Sequence, residues 1–160
     1  MAGAKFLKNN KVVNGMGALD INGQTLTEDR ISMKLYRHLT VILNFGVIGA
    51  AVTVTLKQAT DVTNSASDEK AVTFTEYFAR VGVTADTFTR TSCSSTFNTG
   101  TTTNSLYVIE LDAIQLDQNS NFDCVRVDLT DPSNATLVSI TYILSDPRYA
   151  QEVMPAVITN

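Results

Sequence analysis

The chain has 160 residues and a net charge of −4, with 44% hydrophobic and 18% charged residues. That length suits one domain, able to bury roughly 70% of its unfolded surface without a metal or a disulfide. An acidic balance, with a pI near 4.8, argues against nucleic-acid binding, which needs a basic patch to displace counterions.

The charged fraction is below the usual value of about 25%, so an exterior rich in Thr, Ser and Asn is expected to meet protein partners. No run of 18 apolar residues occurs, and no membrane-spanning helix is expected. Met1 to Val13 carries lysines without the apolar stretch of a secretory signal. Synthesis in the cytosol is therefore expected, with Cys93 and Cys124 as free thiols.

Residues 1–30 are punctuated by Gly3, Gly15, Gly17 and Gly23 and keep no sustained period. They read as an extended N-terminal arm, ordered against a neighbour, or equally as a frayed terminus. Residues 31–149 read as a β-sandwich domain and 150–160 as a C-terminal tail. Leu39, Val41, Leu43 and Phe45 alternate with Thr40, Ile42 and Asn44, the pattern of a strand with one apolar face. Gly46 and Gly49 mark a turn, and Val52, Val54 and Leu56 then alternate with Thr53, Thr55 and Lys57. Asp61 to Lys70 is a polar loop, followed by a short strand at Val72 to Phe74. Glu76-Tyr77-Phe78 fits either a strand or one helical turn. Thr84 to Ser92 is rich in Thr, and Thr91 to Ser105 is a polar tract.

The C-terminal half alternates most regularly, at Tyr107/Ile109/Leu111, Val125/Val127/Leu129 and Val138/Ile140/Tyr142/Leu144. Asp131-Pro132-Ser133-Asn134, with Pro at the second turn position, predicts a hairpin between the last two strands. Pro147 ends the last one. Six to eight strands without a long amphipathic helix predict an all-β chain, a β-sandwich or jelly roll.

Residues that carry chemistry are sparse. His38 is the single histidine, lies at the start of an apolar strand, and has no Gly-x-Ser-x-Gly elbow to serve. A strand-edge or interface role is the expectation. One His and two distant cysteines fall short of four zinc ligands. Gly15-Met16-Gly17-Ala18-Leu19-Asp20 lacks the third glycine and the following helix of a dinucleotide fingerprint. Asp117, Asn119, Asn121 and Asp123, with Asp128 at the twelfth position, are the weak candidates for a calcium loop. The sixth position is Phe122 where such a loop wants Gly, so a polar turn is the expectation. Cys93 and Cys124 pair only if strands bring their Cα atoms within about 6 Å. Asn134-Ala135-Thr136 matches a glycosylation acceptor without a secretory context. No cofactor and no enzymatic activity are expected. Lys5, Lys8, Lys11, Arg30, Lys34 and Arg37 gather early and are the candidates for an interface with an acidic protein surface, although cations spread over so many residues more often serve plain solubility.

Leu35-Tyr36-Arg37-His38-Leu39-Thr40-Val41-Ile42-Leu43-Asn44-Phe45-Gly46 resembles a segment of minor virion proteins of tailed bacteriophages. Val52–Ala59, Leu106–Asp112, Phe122–Val127 and Ile140–Tyr149 extend the resemblance over most of residues 35–149. The resemblance implies a capsid decoration (cement) protein that binds the outside of a shell and stabilises it, with the major capsid protein or other virion proteins as partners. It implies residence in the virion after assembly in the host cytoplasm, and by analogy a homo-oligomer, with a trimer favoured. A neck or tail component is the alternative within this class. A carbohydrate-binding sandwich for host adhesion is the alternative from another, although the chain has no Trp and only 5 Tyr to stack on sugars.

Overall fold

The computed structural model describes residues 5–24, 26, 29–63, 68–149 and 157–158. Among these residues eleven strands, one α-helical turn and two 3₁₀ turns (Ala113–Gln115 and Gln118–Ser120) occur, beginning with α1 (Phe6–Asn9), β1 (Lys11–Asp20), β2 (Ile31–Ser32), β3 (Tyr36–Ile48) and β4 (Thr53–Ala59). Then come β5 (Lys70–Ala71), β6 (Glu76–Arg80), β7 (Thr89–Ser92), β8 (Thr96–Asn98), β9 (Ser105–Asp112), β10 (Cys124–Leu129) and β11 (Thr136–Pro147).

The pairings are nested and antiparallel: β1 with β11, β2 with β10, β3 with β9, β4 with β8. First pairs with last and each inner pair follows suit, as in a two-stranded ribbon rolled into two facing sheets. This is a jelly roll. One sheet runs β1-β11-β3-β9 and continues through β6 and β7; the other runs β2-β10-β4, with β5 and β8 sharing the far side of β4. Residues between β4 and β8 thus supply an insertion, whose β6–β7 hairpin widens the first sheet at β9.

Period-two patterning fills the space between the sheets. Leu39, Val41, Leu43, Phe45, Ile109, Leu111, Ile140, Tyr142 and Leu144 from the larger sheet meet Val54, Leu56, Val125 and Val127 from the smaller, all fully buried. At roughly 1.5–3 kcal/mol per buried aliphatic or aromatic side chain, this layer is the main source of stability. An aromatic cluster closes the insertion side: Tyr77 stacks on Phe97 at 3.9 Å, and Phe97 lies 5.4 Å from Tyr107.

Several expectations change. Residues 11–20 are extended, but as the edge strand beside β11 rather than as part of an arm. Val13 and Met16 have apolar side chains that the core can bury, and two register shifts bend the strand onto it. In the tail, Val157 is buried and accepts a hydrogen bond from the Ser32 N–H at 2.9 Å. The 131–134 turn does not make a hairpin, since β10 pairs with β2 and β4 while β11 pairs with β1 and β3. Two strands with one apolar face each can lie side by side or face to face, and here they face each other across the core. Likewise β3 continues through Gly46 to Ile48, and the chain changes sheets at Gly49, where a Cβ would lie 2.6 Å from the Ala135 carbonyl oxygen. Glu76–Phe78 is strand, and the Thr91–Ser105 tract contains β8. No strand forms at Val72–Phe74 as expected; the ladder is limited to Lys70–Ala71, just before it. Val72 and Phe74 are buried beyond it, with the Val72 N–H donating to Leu56 O.

Candidate docking surfaces

The two sheets present opposite kinds of outer face. On the larger sheet, alternation with the buried residues turns Thr40, Ile42 and Asn44 of β3 outward, together with Leu106, Val108 and Glu110 of β9. Register then aligns Asn14, Thr141, Ile42, Val108, Phe78 and Arg90 in one row across all six strands. At about 4.8 Å per strand the row is about 24 Å long. The parallel rows Val12–Ile143–Thr40–Glu110 and Ser139–Asn44–Leu106–Arg80 flank it. Within these rows charge is confined to the β9, β6 and β7 side. The centre is aliphatic and hydroxyl-bearing, and it can be covered without stripping water from ions.

The smaller sheet carries charge outside. Glu69 accepts hydrogen bonds from Arg126 (Nε to Oε1 2.6 Å, Nη2 to Oε2 2.9 Å) and from Arg30 (Nη2 to Oε1 2.7 Å). Asp68 lies 3.4 Å from the Arg30 guanidinium and Asp128 3.0 Å from that of Arg126. The Arg126 hydrogen bond, then that of Arg30, holds the Glu69 carboxyl below the usual carboxylate range against the opposing effect of burial. Arg30 was expected to serve an interface. Its side chain is only 2% exposed, so it cannot. One carboxylate shared by two guanidiniums compensates the desolvation of all three groups and ties Glu69 to β10. The partners lie 39 and 57 residues apart, so no local pattern announces them.

The remaining interface candidates are brought together. Lys11 pairs in register with Leu144, α1 runs on past it beside β11, Tyr36 pairs with Pro147, and the Arg148 N–H donates to Leu35 O. Lys5, Lys8, Lys11, Lys34 and Arg37 therefore occupy one end of the sandwich, and Arg148, which the sequence did not single out, joins them. A groove of about 330 Å³ opens there, with Met33, Lys34, Leu116, Phe122, Asp123 and Arg148 among its lining residues.

His38 lies in the cross-strand row Ser145–His38–Asp112, in an interior strand rather than at an edge. Its Nδ1 is 2.8 Å from Asp112 Oδ1, and among the described residues that is the ring's one hydrogen bond. Without a hydroxyl bonded to the ring, the row lacks the nucleophile–base contact of a triad.

The calcium-loop candidates do not converge. Asp117 pairs with Lys70, whose ammonium stands 4.2 Å from the centroid of the Phe122 ring; that hydrogen bond is the first cause of the lowered Asp117 pKa. Asn121 takes a left-handed conformation (φ 61°) that ends the 3₁₀ turn Gln118–Ser120. The Cys124 thiol donates to Asp123 Oδ1 at 3.0 Å. Asp128 is in β10, paired with Arg126. Among the described residues no group of three or more His, Cys, Asp or Glu side chains could hold a metal ion, and no helix is long and apolar enough to cross a membrane. Cys93 and Cys124 are both free, and burial pushes both thiol pKa values up.

Comparison with protein-family models found no match, and searches of the curated proteins and of the solved structures found none either.

Proposed function

We propose that this chain is a non-enzymatic structural protein that docks on the exterior of a phage capsid and stabilises it, a decoration protein. The observation that supports the reading is the outer face of the six-stranded sheet, broad and free of charge at its centre, on a chain whose other sheet keeps its ions paired. A sheet face is rigid and its side chains are already ordered by cross-strand packing, so covering it costs little conformational entropy. Jelly rolls serve in viral capsids and in lectins alike, and the fold by itself does not choose between them. The resemblance of the strands in 35–149 to minor virion proteins favours the capsid.

The test adds purified protein to shells that lack it and measures bound copies and heat resistance. Binding at tens to hundreds of copies per head, with a raised disruption temperature, is the expected result; a few copies at one vertex indicate a neck or tail component. Val108→Arg with Thr141→Arg should abolish binding while leaving the circular dichroism spectrum unchanged. No association of the wild-type protein, together with equal particle stability, rejects the reading. Binding to a glycan array instead of shells replaces it with the adhesion module.

A further inference from the structure

We infer that the end of the sandwich bearing Lys5, Lys8, Lys11, Lys34, Arg37 and Arg148 is a docking site for an acidic, extended segment of a protein partner. The inference deepens the docking reading and rests on it.

The chain's 12 cationic side chains divide into two groups of six. Away from this end, Arg30 and Arg126 share Glu69, Arg90 pairs with Glu76, Lys70 with Asp117 and Lys57 with Asp128, while Arg80 donates to the carbonyls of Gly82 and Ala85. Each cation there has an internal partner. At the basic end, among the described residues, only Arg37 has an ion pair, 3.7 Å to Asp146 with side chains 63% and 60% exposed; the Lys57–Asp128 pair is no shorter, at 3.9 Å, but its side chains are only 31% and 40% exposed. Unpaired positive charge is thus segregated to one end of a molecule whose net charge is −4. Surface cations spread only for solubility would be paired or unpaired at similar rates over the whole surface.

Exposed apolar side chains accompany the cations: Ile114 is 84% exposed, Leu7 67%, Tyr149 66% and Phe6 56%. The groove between Lys34 and Arg148 is lined by apolar Met33, Leu116 and Phe122 and by polar Gln118, Asn121 and Asp123. Its volume accepts a side chain or two of a bound segment, whose carboxylates would reach the surrounding cations. The shape suits a peptide better than a phosphate backbone or a lipid plane. Asp112, Asp123 and Asp146 are interleaved with the cations and repel a continuous polyanion, yet they can accept N–H donors from a polypeptide.

The experiment uses fluorescence anisotropy with the full chain and a labelled Glu-rich peptide containing Phe. Binding should weaken about tenfold or more when salt rises from about 20 mM to about 200 mM. It should fall at least about tenfold in Lys34→Glu/Arg37→Glu/Arg148→Glu, and remain unchanged in Lys57→Glu, which alters the other sheet. The neutral pair Lys34→Gln/Arg148→Gln supplies a milder variant should the triple fail to fold. No binding of the peptide, equal binding by the Gln pair, or tighter binding of single-stranded DNA or phosphatidylglycerol vesicles overturns the inference. The same variants are tested on shells. If the reversed variant still binds them as tightly as wild type, this inference fails and the decoration reading stands. If wild type binds the peptide but no shell, the decoration reading fails.

Discussion

Replacing Gly15 with Ala adds one methyl group at the place where β1 passes against the Tyr142 ring. The new Cβ would overlap Cε2 and lie 2.6 Å from Cδ2 and 3.0 Å from Cζ. The ring is fully buried between the sheets, so it has no room to retreat. Its hydroxyl accepts the Val127 N–H at 3.0 Å. That N–H lies on β10 beyond the two residues that pair with β2, so Tyr142 stands in for a strand that ends early. Overpacking costs about 1–3 kcal/mol, and a stranded buried N–H adds about 1–3 kcal/mol. Together these come to about 2–6 kcal/mol, and with roughly 2–4 °C per kcal/mol for a chain of this size Gly15→Ala should lower Tm by about 4–24 °C, read by circular dichroism on reversible melts. The same substitution in a Tyr142→Leu background should cost under about 1 kcal/mol, because the overlapping ring and its hydrogen bond are already gone. An equal loss in both backgrounds would refute the reasoning, as would a Gly15→Ala protein melting with wild type.

Tyr36 is fully buried, burial raises its pKa, and its hydroxyl has no hydrogen-bond partner among the described residues. Tyr36→Phe should therefore be neutral or stabilising by up to about 1 kcal/mol in urea titrations, whereas Tyr142→Phe should cost about 1–3 kcal/mol. Glu69→Gln removes the charge that two guanidiniums share and should destabilise by about 3 kcal/mol or more near neutral pH. Because the folded Glu69 pKa is depressed, its contribution is complete above the unfolded value of about 4.3 and disappears as pH falls through the folded one. The gap in Tm between wild type and variant should accordingly close on acidification below about pH 4, and a gap independent of pH would count against an ionic origin. Half-buried Cys93 should react with a maleimide faster than buried Cys124 in the native state, with both reactive after unfolding.

Alternation alone identified the long strands. Leu39 to Phe45, Tyr107 to Leu111, Val125 to Leu129 and Val138 to Leu144 each place apolar residues at every second position, and each proved to be a strand with that face inward. The pattern in β1 is broken by two bulges and by Gly15, whose missing side chain makes room for a residue 127 positions away, so the strand was hidden among glycines. The two-residue strands β2 and β5 are too short to carry a period at all. The early cations Lys5, Lys8, Lys11, Lys34 and Arg37 were legible as a group. Arg30 could not be separated from them, since its partner Glu69 is supplied by a distant loop.

Residue order is enough to specify that this protein is built of strands and that each long strand has one wet and one dry side. Those properties follow from the backbone's two-residue repeat and from side-chain solubility, both of which act locally. Which strands lie edge to edge and which meet across the core was decided only by the tertiary structure, because both arrangements satisfy the same alternation. Tertiary folding likewise decided where charge is neutralised. It enclosed Arg30 and Arg126 around one carboxylate and left the cations where the start of β3 meets the end of β11 to water, a division that depends on distances between residues far apart in the chain.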